Sequence, residues 1–142
     1  MAIFKKILIP FCGSSASKKA AEKGLAIAID QKADVVGLMI ITFVGELIAP
    51  SDRLWAVIMN DLREKAKEVL GELESMAKEK KLTIELEIRE GDAEEEMVSA
   101  ASEVGADLIV MGMGGESGMG KHLGKSIARL LKDAPCPVMV VT

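Results

Sequence analysis

Residues 106–112 read ADLIVMG: one acid, four apolar residues in a row, then a glycine. A strand with one wet face would alternate apolar and polar residues, and a helix would run for ten residues or more. An unbroken apolar run this short instead fits a strand covered on both faces. KILIPF, residues 6–11, has the same character. Working outward, apolar β-branched runs recur at Ile7–Phe11, Val35–Phe43, Thr83–Ile88, Asp107–Met111 and Val138–Val141, each bounded by charge, Gly or Pro. Helical stretches are expected between them at Ser15–Gln31, Ser51–Lys81, Ala93–Val104 and Leu123–Lys132. In the second of these, Leu62, Ala66, Val69, Leu73, Met76 and Ala77 recur at three- and four-residue steps. Strict strand–helix alternation predicts an α/β fold with an open, doubly wound, five-stranded parallel sheet, because parallel neighbours need crossover connections and the helices supply them. The stretch Gly45–Asn60, GELIAPSDRLWAVIMN, contains Pro50 and keeps no steady apolar period, so it is expected to be the most mobile arm.

Length and charge narrow the function. A chain of 142 residues with 49% hydrophobic content can bury a core of its own, so residues 1–142 are expected to form one domain. The net charge of −4 supplies no basic field for nucleic acid or for an anionic membrane, and three Phe with one Trp build no base-stacking platform. No apolar run reaches the roughly 18 residues of a membrane span, and the first residues do not read as a secretion signal; a cytoplasmic protein is expected. Cys12 and Cys136 lie far apart without CxxC spacing, which implies neither a disulfide framework nor a zinc site.

The apolar run at residues 106–112 leads into MGMGGESGMGKHLGKS, Met111–Ser126, which holds six glycines. A loop leaving a parallel strand for a helix sits where open α/β sheets bind ligands. Glycines admit a phosphate close to the backbone, and free amides at a helix start carry about half a positive charge toward it. Both standard fingerprints nevertheless fail. A P-loop over Gly115–Lys121 would end in His122 where a magnesium-binding hydroxyl belongs, and in the frame ending GKS, Met119 stands at the first glycine. GxGxxG would need glycine at Ser117 or at Leu123.

Other candidates read more simply. His122 has no nucleophile recognisable beside it and is expected as an exposed loop residue or at most a phosphate contact. Cys136, between two prolines, is expected to pack as a small apolar group, and Cys12 as a neutral buried thiol. Ser14, Ser15 and Ser17 suggest a helix cap. The run EKAKEVLGELESMAKEKK reads as a solvated charged face. PVMVVT reads as an apolar edge strand, which tends to pair with another copy of itself.

Three segments resemble one family, the universal stress proteins. FKKILIPFCGSSASKKA is similar to the family's first strand and serine-bearing turn, GDAEEEMVSAASEVGADLIVMG to its third helix and fourth strand, and DAPCPVMVV to its last strand. Nucleotide-binding members carry G-x2-G-x9-G-[ST] after the fourth strand. Gly112 and Gly115 match the first two glycines; Gly124 comes one residue early, followed by Lys125 and then Ser126. Cys12 stands where binding members usually have Asp.

The resemblance implies a Rossmann-like sheet in the order 3-2-1-4-5, of the adenine-nucleotide α-hydrolase-like type. It further implies a cytosolic stress-response regulator binding ATP or AMP, with Mg or Mn as an accompanying ion. The nucleoside end would meet Pro10, Phe11, Cys12 and Ile40, with Phe11 and Ile40 forming an apolar wall. The phosphate end would meet Met111, Gly112, Gly115, Gly124 and Ser126, with Lys121 or Lys125 neutralising charge. A homodimer through the C-terminal strand is implied as well. No general base or carboxylate pair converges on this site, so turnover is expected to be absent or slow. The alternative is a nucleotide-free, chaperone-like or interaction homodimer of the same family.

Overall fold

A computed structural model describes residues 2–42, 52–113 and 120–142, with backbone alone for 120–126. Its strands are β1 (Lys6–Pro10), β2 (Asp34–Ile41), β3 (Ile84–Glu90), β4 (Leu108–Gly112) and β5 (Val138–Val141). Its helices are α1 (Ser15–Gln31), α2 (Asp52–Glu79), α3 (Ala93–Val104) and α4 (Gly120–Asp133). All strand pairs are parallel and the sheet order is β3-β2-β1-β4-β5.

The two-residue period of each strand sorts side chains onto two cores. Ile7, Ile9, Phe11, Val35, Leu108 and Val110 pack with Ala20, Ala21, Leu25 and Ala28 of α1 and with Leu70, Leu73 and Ala77 of α2. Leu8, Val36, Leu38, Ile109 and Met111 pack on the other face with Met97, Ala100, Ala101, Ile127 and Leu130 of α3 and α4. Double coverage explains why β1 and β4 read as unbroken apolar runs.

Local chemistry sets the element ends. Ser14 caps α1, its hydroxyl accepting from the Ser17 amide at 3.1 Å, which bears out the cap expected there. Asp92 caps α3 by accepting from the Glu95 amide at 3.1 Å, and Gly105 closes that helix in the left-handed region at φ 70°. Asp107 joins β4 to β1, its carboxylate accepting from the amides of Lys5 and Lys6 at 2.8 and 3.0 Å.

One boundary differs from expectation by more than two residues. Helix α4 starts at Gly120, three residues before the expected Leu123. No proline interrupts residues 120–126, and the weak helix propensity of glycine there is overridden once Ile127 and Leu130 are buried. Helix α2 starts at Asp52, within one residue of the expected Ser51; it covers 52–60 of the Gly45–Asn60 stretch, and residues 45–51 lie outside the described residues.

Candidate functional site at the ends of β1 and β4

The order β3-β2-β1-β4-β5 reverses between β1 and β4, the position at which open α/β sheets form a crevice. Pairing of these two strands is confined to Ile7 with Leu108 and Leu8 with Ile109. The cause is visible in the sequence. Phe11 donates its amide to Leu38 O of β2 at 2.8 Å, and alternate residues of a strand point opposite ways. Pro10 therefore faces β4 with a nitrogen that has no hydrogen to donate. The ladder stops, and the C-terminal ends of β1 and β4 are left unpaired with each other.

Two helices begin beside this opening, α1 after β1 and α4 after β4. Neither carries an acidic residue in its first turn, whereas α3, which follows edge strand β3, carries Glu94, Glu95 and Glu96 there. The α1 and α4 amides thus meet no carboxylate from their own first turns, an arrangement that favours an anion.

The residues expected at the site fall into three groups. Pro10 ends β1, and Ile40 and Met111 stand one residue before the ends of β2 and β4, all three on the α3–α4 face by strand alternation; Ile40 is half-buried against that core and Met111 is buried. Phe11 is buried in the opposite core, so it shares no wall with Ile40, and only its backbone remains at the crevice. This corrects the apolar wall expected from sequence. Cys12 is exposed and donates its thiol to the Ser14 hydroxyl at 3.3 Å, where a buried thiol was expected. Cys12 lies beyond the end of β1, and the turn at Gly13, at φ 84°, carries the chain away from the sheet directly after it. Gly112 ends β4 against the first turn of α1.

Gly115 lies outside the described residues. Lys121, Gly124, Lys125 and Ser126 lie on the backbone of α4. The first four amides of a helix have no intrahelical acceptor, so that of Lys121 has none within α4, while those of Gly124, Lys125 and Ser126 are directed at carbonyls four residues earlier. Sequence reading missed this division because it placed the helix start after Lys121.

The two cysteines differ in environment. Burial, followed by the charge of Asp107, raises the pKa of Cys136 above that of an ordinary thiol. A raised pKa depletes thiolate at mildly alkaline pH, and the thiolate is the nucleophile. Cys12 should therefore be alkylated several-fold faster than Cys136 by iodoacetamide at about pH 8. Peptide mass spectrometry over a time course measures this, and equal rates would contradict the exposures.

Two cavities among the described residues lie away from the crevice. One of about 340 Å³ is lined by Glu94, Glu95, Val98, Ser99, Arg129 and Asp133, with Arg129 paired to Glu94 at 2.6 Å. A groove of about 430 Å³ lies beside Ile3, Phe4, Ile27 and Met139. Among the described residues no cluster of three His, Cys, Asp or Glu could hold a metal, and no helix is long and apolar enough to cross a membrane.

Comparison with known proteins agrees with this layout. Residues 3–142 match the model of the universal stress protein family. A universal stress protein of Methanocaldococcus jannaschii is 36% identical over 140 residues, covering 98% of this chain and 82% of that relative. The structure of universal stress protein UspA from Lactobacillus plantarum superposes with a TM-score of 0.86 at 21% identity, covering 100% of both chains. A universal stress protein family protein from Arabidopsis thaliana with AMP bound has a TM-score of 0.71 at 19% identity, covering 96% of this chain and 90% of that one. With its sheet order, its crevice between β1 and β4 and this match along almost its whole length, the chain belongs to the universal stress protein family.

Proposed function

We propose that the protein is a regulator that binds an adenine nucleotide, ATP or AMP, in the crevice between β1 and β4. The observation that carries the reading is the unpaired end of these strands beside two helix starts without acidic residues. Pro10, Cys12, Ile40 and the Phe11 backbone take the nucleoside side. Met111, Gly112, Gly115 and the first turn of α4 with Lys121 take the phosphates, and Gly124, Lys125 and Ser126 lie one turn further along the helix. AMP in the Arabidopsis relative supports the ligand class. A Mg or Mn ion would arrive with the phosphates, since such ions commonly keep several waters and bind through phosphate oxygens more than through a protein cage. With no general base assigned at the phosphate end, hydrolysis would be slow and the bound state itself would be the signal, read by a partner in the cytoplasm.

Dimerisation belongs to the same reading. The sheet has two free edges. Strand β3 carries Glu85, Glu87 and Arg89, charges of the kind that protect an edge, whereas β5 is Val138, Met139, Val140 and Val141. The uncharged edge is the better surface for a second copy.

A nucleotide-free interaction homodimer is the second reading, favoured by Cys12. Its thiol points into Ser14 and supplies no carboxylate to hold a ribose hydroxyl. Denaturing the purified protein and analysing the released small molecules by mass spectrometry separates the two, together with calorimetric titration of ATP and AMP in the presence of Mg. A released adenine nucleotide or micromolar binding supports the first reading. No nucleotide and no heat of binding would assign the protein to the second.

A further inference from the structure

Gly112 stands in the first glycine position of the proposed phosphate loop, yet its surroundings require glycine without any ligand. Its backbone is outside the left-handed region, unlike that of Gly13, Gly91 and Gly105, so conformational freedom is not the reason. Space is the reason. A Cβ at Gly112 would collide with the Ala16 carbonyl and stand 2.9 Å from the Ser17 nitrogen. Gly24 and Gly37 are also crowded, but by the side-chain ends of Ile9 and Leu73, which can rotate away. At Gly112 the obstacle is the backbone of a capped helical turn, where Ser17 donates its amide to the Ser14 hydroxyl and its own hydroxyl to the Ser14 carbonyl at 2.9 Å.

We propose that Gly112 is a positioning residue: by carrying no side chain it seats the first turn of α1 on the end of β4. The Cys12–Ser14 turn on one side of the crevice is thereby held to the root of the glycine loop on the other. A glycine at this position is then demanded by packing, and it would be kept in a nucleotide-free relative as firmly as in a binding one. The proposal concerns the same crevice as the nucleotide reading, but its first readout needs no nucleotide.

Amide hydrogen exchange of Gly112→Ala, with Gly37→Ala as the control, tests it. In Gly112→Ala the Ser17 amide should lose protection about tenfold or more relative to Leu25 in the middle of α1, because the first turn opens locally. In Gly37→Ala that ratio should stay as in the parent, since any loss of stability there is shared by the whole helix. The ATP dissociation constant should rise roughly tenfold in Gly112→Ala and stay within about threefold in Gly37→Ala. An unchanged ratio of Ser17 to Leu25 in Gly112→Ala would overturn the proposal, whatever ATP does. If the parent binds no ATP, the nucleotide reading fails while the exchange ratio still decides this one. Should Gly112→Ala not fold, Ser14→Ala carries the test from the other side. Loosening the first turn should then deprotect the Met113 amide, which donates to Val141 O at 3.1 Å, relative to Val110. An unchanged Met113 would overturn the proposal equally.

Discussion

Gly115→Val is expected to weaken ATP binding tenfold or more, about 1.4 kcal/mol, while Lys121→Ala weakens it by about 1 kcal/mol or less. Gly115 lies outside the described residues, so this expectation rests on its place three residues beyond Gly112, at the root of the proposed phosphate loop. Valine there brings a branched side chain to where phosphate oxygens would approach and excludes the backbone angles open only to glycine. Lys121 is in the first turn of α4, and the alanine variant keeps its amide, which has no acceptor within the helix. Only a screened charge is lost. In a P-loop the order would reverse, the lysine being the indispensable cation. Calorimetric titration of both variants decides: binding abolished by Lys121→Ala and retained by Gly115→Val would restore the P-loop reading.

Val140→Pro is expected to weaken the proposed homodimer by roughly 5- to 150-fold. Ile109 donates to Pro137 O at 3.0 Å and Met113 to Val141 O at 3.1 Å, so residues 137 and 141 of the last segment face β4. Val140, offset by one residue from Val141, turns its amide outward from the edge. Proline there removes a donor from the free edge and leaves the ladder to β4 in place, the setting in which sheets tolerate proline. Two-fold symmetry removes the bond twice, and at about 0.5–1.5 kcal/mol each the dimer loses about 1–3 kcal/mol. A charged residue at Val140 is the poorer probe, because its side chain packs on the α3–α4 core and a charge there would destabilise the fold itself. Sedimentation over a micromolar concentration series measures the change. A parent that sediments only as a 15.1 kDa species would remove the dimer from the account.

Much of the architecture was legible because burial on two faces leaves an unmistakable pattern: Leu108–Met111 and Ile7–Ile9 have no polar residue to show solvent. The strand order was not legible in that pattern, since any crossover scheme gives the same alternation; it came with the family resemblance. The misplaced wall of Phe11 and Ile40 has a geometric cause. Each strand's own period is plain, but which face of β1 matches which face of β2 depends on their register, Pro10 beside Leu38, and no single strand encodes it. Cys12 misled for a similar reason. It follows an apolar run and reads as its continuation, yet Gly13 turns the chain directly after it. The glycines before Ile127 concealed the start of α4, because propensity alone opposes a helix that tertiary burial then stabilises.

The most direct test of the nucleotide site is a titration of the ¹⁵N-labelled protein with Mg-ATP, following backbone amide shifts residue by residue. The account predicts that shifts concentrate at Cys12, Ile40, Met111, Gly112 and the first turns of α1 and α4, all at one end of the sheet. Shifts centred instead on Ile3, Phe4 and Met139, beside the groove of about 430 Å³, would contradict it, as would a spectrum that does not change.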